Sequence, residues 1–181
     1  AYDVTFTGRD NKLQYPFQTS WGATTRLIGA CIMTHSDNNG LVLPPAIAPI
    51  QVIVLPIAQH KAGVLDAAAA LRDRLEKLGL RVKMDDSEQS PGWKFAQYEM
   101  KGVPLRVEIG PKDMEKQQCC IARRDTGEKT FVPLSDLESA VQSLLQEVHH
   151  NLYAMAEKNL EDNTFDFTTW EEVKEMAQGK G

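Results

Sequence analysis

The chain has 181 residues, 42% of them hydrophobic, and a formal net charge of −5. That length and apolar content suffice for one large or two small cores, while the acidic balance argues against a surface that coats nucleic acid non-specifically. No apolar run approaches the roughly 20 residues needed to cross a bilayer, and the start AYDVTFTGRD lacks the marks of a signal peptide, so a cytoplasmic protein with no membrane partner is expected.

Alternation of Tyr2, Val4 and Phe6 predicts a strand over residues 2–7, already under way at Ala1 as if the chain were a piece of a longer polypeptide. A polar turn at Arg9, Asp10, Asn11 and Lys12 leads to a second strand over residues 13–19. Residues 18–22 read as strand running up to Gly22, and a helix follows over about residues 24–34. The turn-rich stretch 35–40 stops it, and residues 41–43 make a short strand closed by Pro44 and Pro45. Small residues and prolines at 46–49 mark a boundary between two differently patterned regions.

Residues 50–57 are almost continuously apolar, as in a strand covered on both faces. Val64, Ala68, Leu71, Leu75 and Leu78 form one helical stripe ended by Gly79, and residues 80–84 return as a strand, which gives a βαβ unit with parallel strands. A short helix over 93–101 carries Trp93, Phe95, Ala96 and Met100. In the strand 105–109, Leu105, Val107 and Ile109 are expected in the core with Arg106 and Glu108 facing outward. Strands 119–123 and 129–132, joined at Asp125, Thr126 and Gly127, complete a mixed sheet.

Ser135 and Glu138 have capping-box spacing ahead of a long helix whose face is Leu137, Val141, Leu144, Val148, Leu152 and Met155. A last short helix spans about 169–178 and stops at Gly179, Lys180 and Gly181. Cys31, Cys119 and Cys120 show no CxxC spacing, and adjacent helical His149 and His150 diverge by roughly 100°, so neither a metal site nor a catalytic histidine is assigned. Charge is uneven: residues 91–130 carry +2 and residues 131–181 carry −7, a mildly basic middle that suits local RNA contact.

Two blocks carry a family resemblance. The first is SWGATTRLIGACIMTHSDNNGLVLPP, residues 20–45. Its strand-to-helix junction would set free N–H groups and a helix dipole beside the Arg26 guanidinium, a combination suited to phosphate. It resembles motif 3 of class II aminoacyl-tRNA synthetases, and TTRLIGA and GLVLPP look like the prolyl-tRNA synthetases, although the general motif has more glycine before its arginine. The resemblance implies that Arg26 is the catalytic contact to the ATP triphosphate, with Thr24 near the nucleotide and Trp21 and Gly22 on the floor of the prolyl-adenylate pocket.

The second block is WKFAQYEMKGVPLRVEIGPKDM, residues 93–114, followed by ARRDTGEK, residues 122–129. It offers aromatics for stacking on splayed bases, carboxylates that accept from guanine N1 and N2, and cations for O6, N7 and phosphate. Glu99, Arg106 and Asp113 would lie within one side chain's reach if the short helix ends over the strand bearing Arg106. The block resembles the anticodon-binding domain of prolyl-tRNA synthetases, whose tRNA presents two anticodon guanines. The resemblance implies that Phe95 stacks, Glu99 and Asp113 accept from guanine edges, and Arg106, Lys112 and Lys129 donate to base or phosphate.

The fold class so implied is α/β: a three-layer anticodon-binding domain with a mixed, roughly five-stranded sheet flanked by helices, after a strand hairpin and helix left from a class II antiparallel catalytic domain. The corresponding divisions are residues 1–46, 47–162 and 163–181, the last beginning a C-terminal extension. The implied parent is a homodimeric proline–tRNA ligase that uses ATP and Mg²⁺, makes prolyl-adenylate and charges tRNA(Pro). This piece alone is expected to be inactive. A non-catalytic synthetase-like module that binds RNA or a partner, and an α/β protein for small ligands, are the alternatives.

Overall fold

The computed structural model describes residues 3–179 and divides at Ala30 and Cys31 into two units. In the first, strands β1 (Phe6–Thr7) and β2 (Leu13–Gln14) pair antiparallel with Phe6 opposite Gln14. Gly8 N donates to Lys12 O at 2.8 Å, and the Asp10 carboxylate accepts from Lys12 N and the Gln14 amide to close the turn. The ladder is shorter than the alternation predicts. Residues 15–23 have no regular structure and leave Tyr15, Phe17 and Trp21 exposed, so a strand over 18–22 does not form. Its alternating side chains find no face to bury against among the described residues, and without burial the pattern does not hold a ladder. Tyr2, at the start of the first predicted strand, lies outside the described residues, as do Lys180 and Gly181. Helix α1 (Arg26–His35) begins at Arg26, whose N–H donates to Thr24 Oγ1 at 3.3 Å.

In the second unit the apolar run at 50–57 becomes strand β3 (Val52–Pro56), buried along its whole length. Helix α2 (Val64–Glu76) then buries Val64, Ala68, Leu71 and Leu75, while Leu78 falls beyond its end. Strand β4 (Val82–Met84) pairs parallel to β3. Helix α3 (Pro91–Met100) opens with Ser90 Oγ accepting from Trp93 N and a proline at its first position. Its buried residues are Lys94 and Tyr98, while Trp93 and Met100 are exposed.

Strand β5 (Leu105–Ile109) returns parallel to β3, and a five-residue helix α4 (Pro111–Glu115), absent from the expected elements, links it to β6 (Gln118–Arg123). Strand β7 (Lys129–Pro133) completes a sheet of order β4-β3-β5-β6-β7, antiparallel from β5 onward. A 3-10 turn (Leu134–Asp136) precedes the long helix α5 (Leu137–Asp162), and α6 (Trp170–Gly179) follows. Among the described residues no helix is long and apolar enough to cross a membrane.

The layers follow from strand parity. Val52, Val54, Leu105, Val107, Ile109, Cys119 and Ile121 face the buried stripes of α2 and α5, which contribute Leu71, Leu75, Leu137, Val141, Leu145, Val148 and Leu152. Ile53 and Leu55 face the other way, onto Tyr98 and Phe95 of α3 and onto Val103. Cys119 and Cys120 thus point to opposite faces, both buried, and burial pushes the Cys119 thiol up to about 11 and that of Cys120 upward, which suppresses thiolate.

Three local expectations change. Glu138 does not close a capping box with Ser135: its carboxylate takes a two-pronged bond from Arg74 of α2 at 2.6 and 2.7 Å, while Ser135 Oγ donates to Asp136. On α5, Leu145 is buried and Met155 is exposed. Residues 41–43 are extended without being a strand, because Leu41 N donates to Met100 O and Leu43 N to Gly102 O just past the end of α3. Gly102 sits at φ +70 directly against Leu41 there.

Candidate nucleic-acid interface

The β3–β5–β6–β7 register sets two rows of side chains on the α3 face. One row is Ile53, Arg106, Ala122 and Lys129; the next is Leu55, Glu108, Cys120 and Phe131. Helix α3 covers the β3 end of these rows, and the β7 end stays open, with Phe131 62% exposed. Small Ala122 between Arg106 and Lys129 lets both cations approach Glu108 from neighbouring positions.

Contacts then join what the rows bring near. Arg106 Nε donates to Glu108 Oε1 at 2.9 Å and Arg106 Nη1 donates to Glu99 Oε1 at 3.2 Å. Lys129 Nζ lies 3.2 Å from the same Glu108 oxygen. The guanidinium carbon sits 4.1 Å from the centroid of Phe95, and Lys129 Nζ sits 5.4 Å from it. Phe95, Glu99, Arg106 and Lys129 are therefore one cluster; of the expected trio Glu99, Arg106 and Asp113, the helix ending over a strand brings together the first two.

Arg106 and Glu108 do not face outward into solvent, for each is only 9% exposed. The outward face of β5 is itself roofed by α3 and by Lys129, and the two opposite charges satisfy each other beneath that cover. Phe95 is half-buried with one ring face taken by the guanidinium.

Asp113 and Lys112 lie elsewhere, on α4. Asp113 Oδ2 accepts from Gly110 N at 3.0 Å and so caps that short helix, with no bond to Glu99 or Arg106 among the described residues. Lys112 is exposed on the same helix.

A cleft of about 210 Å³ opens beside the Glu99–Arg106 pair, bounded by Asp37, Tyr98, Arg124 and Thr126. That is smaller than the ~300–1,000 Å³ usual for small-molecule pockets and better matched to a single planar group. Arg124 forms its wall: Nη1 and Nη2 donate to the two Asp37 oxygens at 2.7 and 2.6 Å, and Nε donates to Glu99 O at 2.9 Å. Those bonds hold the Asp37 carboxyl down to about 2. Because the folded value is depressed, the stabilisation is complete above the ordinary value near 3.8 and is lost as pH falls toward about 2. The urea midpoints of wild type and Asp37→Asn should therefore differ at pH 6 and converge as pH drops through roughly 4 to 2. A difference unchanged by acid would contradict the assignment.

Residues 20–26 of the first unit contain no carboxylate. Arg26 is exposed at the start of α1, with no ion-pair partner among the described residues, and Thr24, Trp21 and Gly22 precede it in exposed, irregular chain. This segment has the chemistry to contribute a cation and hydroxyls to a phosphate, not ligands to Mg²⁺.

The profile of the Anticodon binding domain family matches residues 51–144, over half of the chain. The chain belongs to that family. Matched to curated proteins, it is similar to "Proline--tRNA ligase 2" of Bacillus cereus (strain ATCC 14579), 53% identical over 180 residues, 99% of this chain and 38% of that protein. It is also similar to "Proline--tRNA ligase 2" of Bacillus thuringiensis (strain Al Hakam), at 51% identity with 99% and 38% covered. The "Proline--tRNA ligase" of Clostridium novyi (strain NT) is likewise 51% identical, with 99% and 37% covered. The chain thus spans under two fifths of the length of these relatives.

In this anticodon-binding domain Glu108 and Arg124 join the cluster through Arg106 and Glu99 O, and Phe131 stands in the row of Glu108, none of them a candidate from sequence. Glu108 follows from strand parity once α3 is known to cover that face, and Phe131 from its register with Glu108. Arg124 had no such signal, since its partner Asp37 is 87 residues away.

Proposed function

We propose that this chain is the anticodon-reading part of a proline–tRNA ligase and that its cluster of Phe95, Glu99, Arg106 and Lys129 contacts the anticodon guanines of tRNA(Pro). The observation that carries the reading is the guanidinium of Arg106 held between Glu99 and Glu108 over Phe95, with a cleft opening beside the Glu99–Arg106 pair. Such a group donates to guanine O6 and N7, while the second oxygen of Glu99 accepts from N1 and N2. Lys112 and Asp113 serve phosphate or a second base from α4. In the parent enzyme, proline and ATP give prolyl-adenylate, Mg²⁺ neutralises the triphosphate, and the acyl group passes to the tRNA; Arg26 and Thr24 meet the nucleotide, with Trp21 and Gly22 beside the adenylate. The parent is a cytoplasmic homodimer, and this piece alone is inactive.

Supporting the reading are the proline–tRNA ligase names of the relatives and the family match over the sheet that bears the cluster. Binding of this chain to a proline-accepting tRNA, and to the same tRNA with its anticodon guanines replaced by adenines, tests it. Wild type should prefer the guanine form, and Arg106→Ala should weaken that form by about 1–3 kcal/mol with little effect on the other. Equal loss on both RNAs would defeat the base contact.

A further inference from the structure

We infer that Glu108 is a positioning residue that sets guanine specificity by fixing the orientation of Arg106; the inference rests on the RNA-reading role of this face. Beyond neutralising Arg106 and Lys129, the carboxylate meets no packing need. It occupies the interior of β5 between Leu55 and Cys120 at 9% exposure, where an apolar side chain of similar volume would cost nothing in desolvation. It also places a negative charge beneath a surface that meets a polyanion, which lowers raw affinity. Neither packing nor attraction explains it.

Its geometry does. Glu108 Oε1 receives Arg106 Nε at 2.9 Å and lies 3.2 Å from Lys129 Nζ, so one oxygen anchors two cations. With Nε taken by Glu108, one hydrogen of Nη1 bonded to Glu99 and the group held over the Phe95 ring, the guanidinium keeps Nη2 and the second hydrogen of Nη1 for a ligand. Nη2 has no hydrogen-bond partner among the described residues. A flexible arginine finds a phosphate in many orientations, whereas donors on two terminal nitrogens held in one orientation suit the O6/N7 pair of guanine. Lys129, tethered to the same oxygen, is likewise restrained from roaming to backbone phosphates.

Two substitutions separate position from charge. Glu108→Gln removes the anion, and Glu108→Asp keeps it but withdraws the oxygen by one methylene. Dissociation constants are measured by each folded variant, its folding checked by thermal melt, for the proline-accepting tRNA and for its guanine-replaced form. The ratio of the two constants should fall about tenfold in both variants, the equivalent of one lost oriented base contact. Binding of the guanine-replaced RNA should tighten in Glu108→Gln alone. A ratio preserved within about twofold in Glu108→Asp, with wild type discriminating, overturns the positioning role. If only one variant folds, its ratio decides alone. Should wild type bind both RNAs equally, the RNA-reading role of the face fails, and the inference with it.

Discussion

Gly102→Ala is expected to destabilise the chain by about 3–4 kcal/mol, whereas Gly79→Ala should cost only about 1 kcal/mol. The two glycines share one backbone conformation, φ +70 and +78. For any residue with a Cβ that left-handed state costs roughly 1–2 kcal/mol, so conformation alone predicts equal effects. Their surroundings differ. A Cβ at Gly79 meets nothing within 4 Å, while one at Gly102 would come 2.7 Å from Leu41 Cβ and 2.8 Å from the Leu41 carbonyl carbon and oxygen. Backbone atoms cannot rotate aside, so residues 41–43 would have to lift off, breaking the Leu41–Met100 and Leu43–Gly102 bonds. Urea unfolding of both variants measures the difference; equal midpoints would show that 41–43 do not pack as described.

Arg124→Ala should cost about 2–3 kcal/mol, the second large effect. The side chain is 6% exposed and donates three short bonds, two to Asp37 and one to Glu99 O. Removal leaves Asp37 without its counter-ion and Glu99 O with the Gly102 N–H as its remaining donor. The cost stays below that of a fully buried pair because Asp37 is half exposed and regains water. Arg124→Lys should recover less than half of the loss, since an ammonium cannot span both carboxylate oxygens and the Glu99 carbonyl together. In a double-mutant cycle with Asp37→Asn, the two losses should add to more than the double variant shows. Simple additivity would mean that Arg124 acts through Glu99 O alone.

How far sequence pattern predicts structure varies with the range of the deciding interaction. Strands β3 and β5 and helix α2 were legible because burial on a fixed period chose their residues, and period is local information. The α3 face was not, since Lys94 is buried on account of Gln59 Oε1 at 3.1 Å and Asp85 O at 2.9 Å, partners on other elements. The capping box failed for the same reason: Arg74, 64 residues earlier, claims Glu138. Helix α4 was too short for any period to register. At the site, Glu99 and Arg106 could be paired from a helix ending over a strand, whereas the capping duty of Asp113 depended on the turn at Gly110.

The sheet borders have a practical consequence. One ends on β4, only three residues long, and the other on β7, which bears a lysine at its start and a proline at its finish. Neither margin offers a long unpaired ladder of amides and carbonyls to a second molecule, so strand-to-strand polymerisation is discouraged even at high protein concentration.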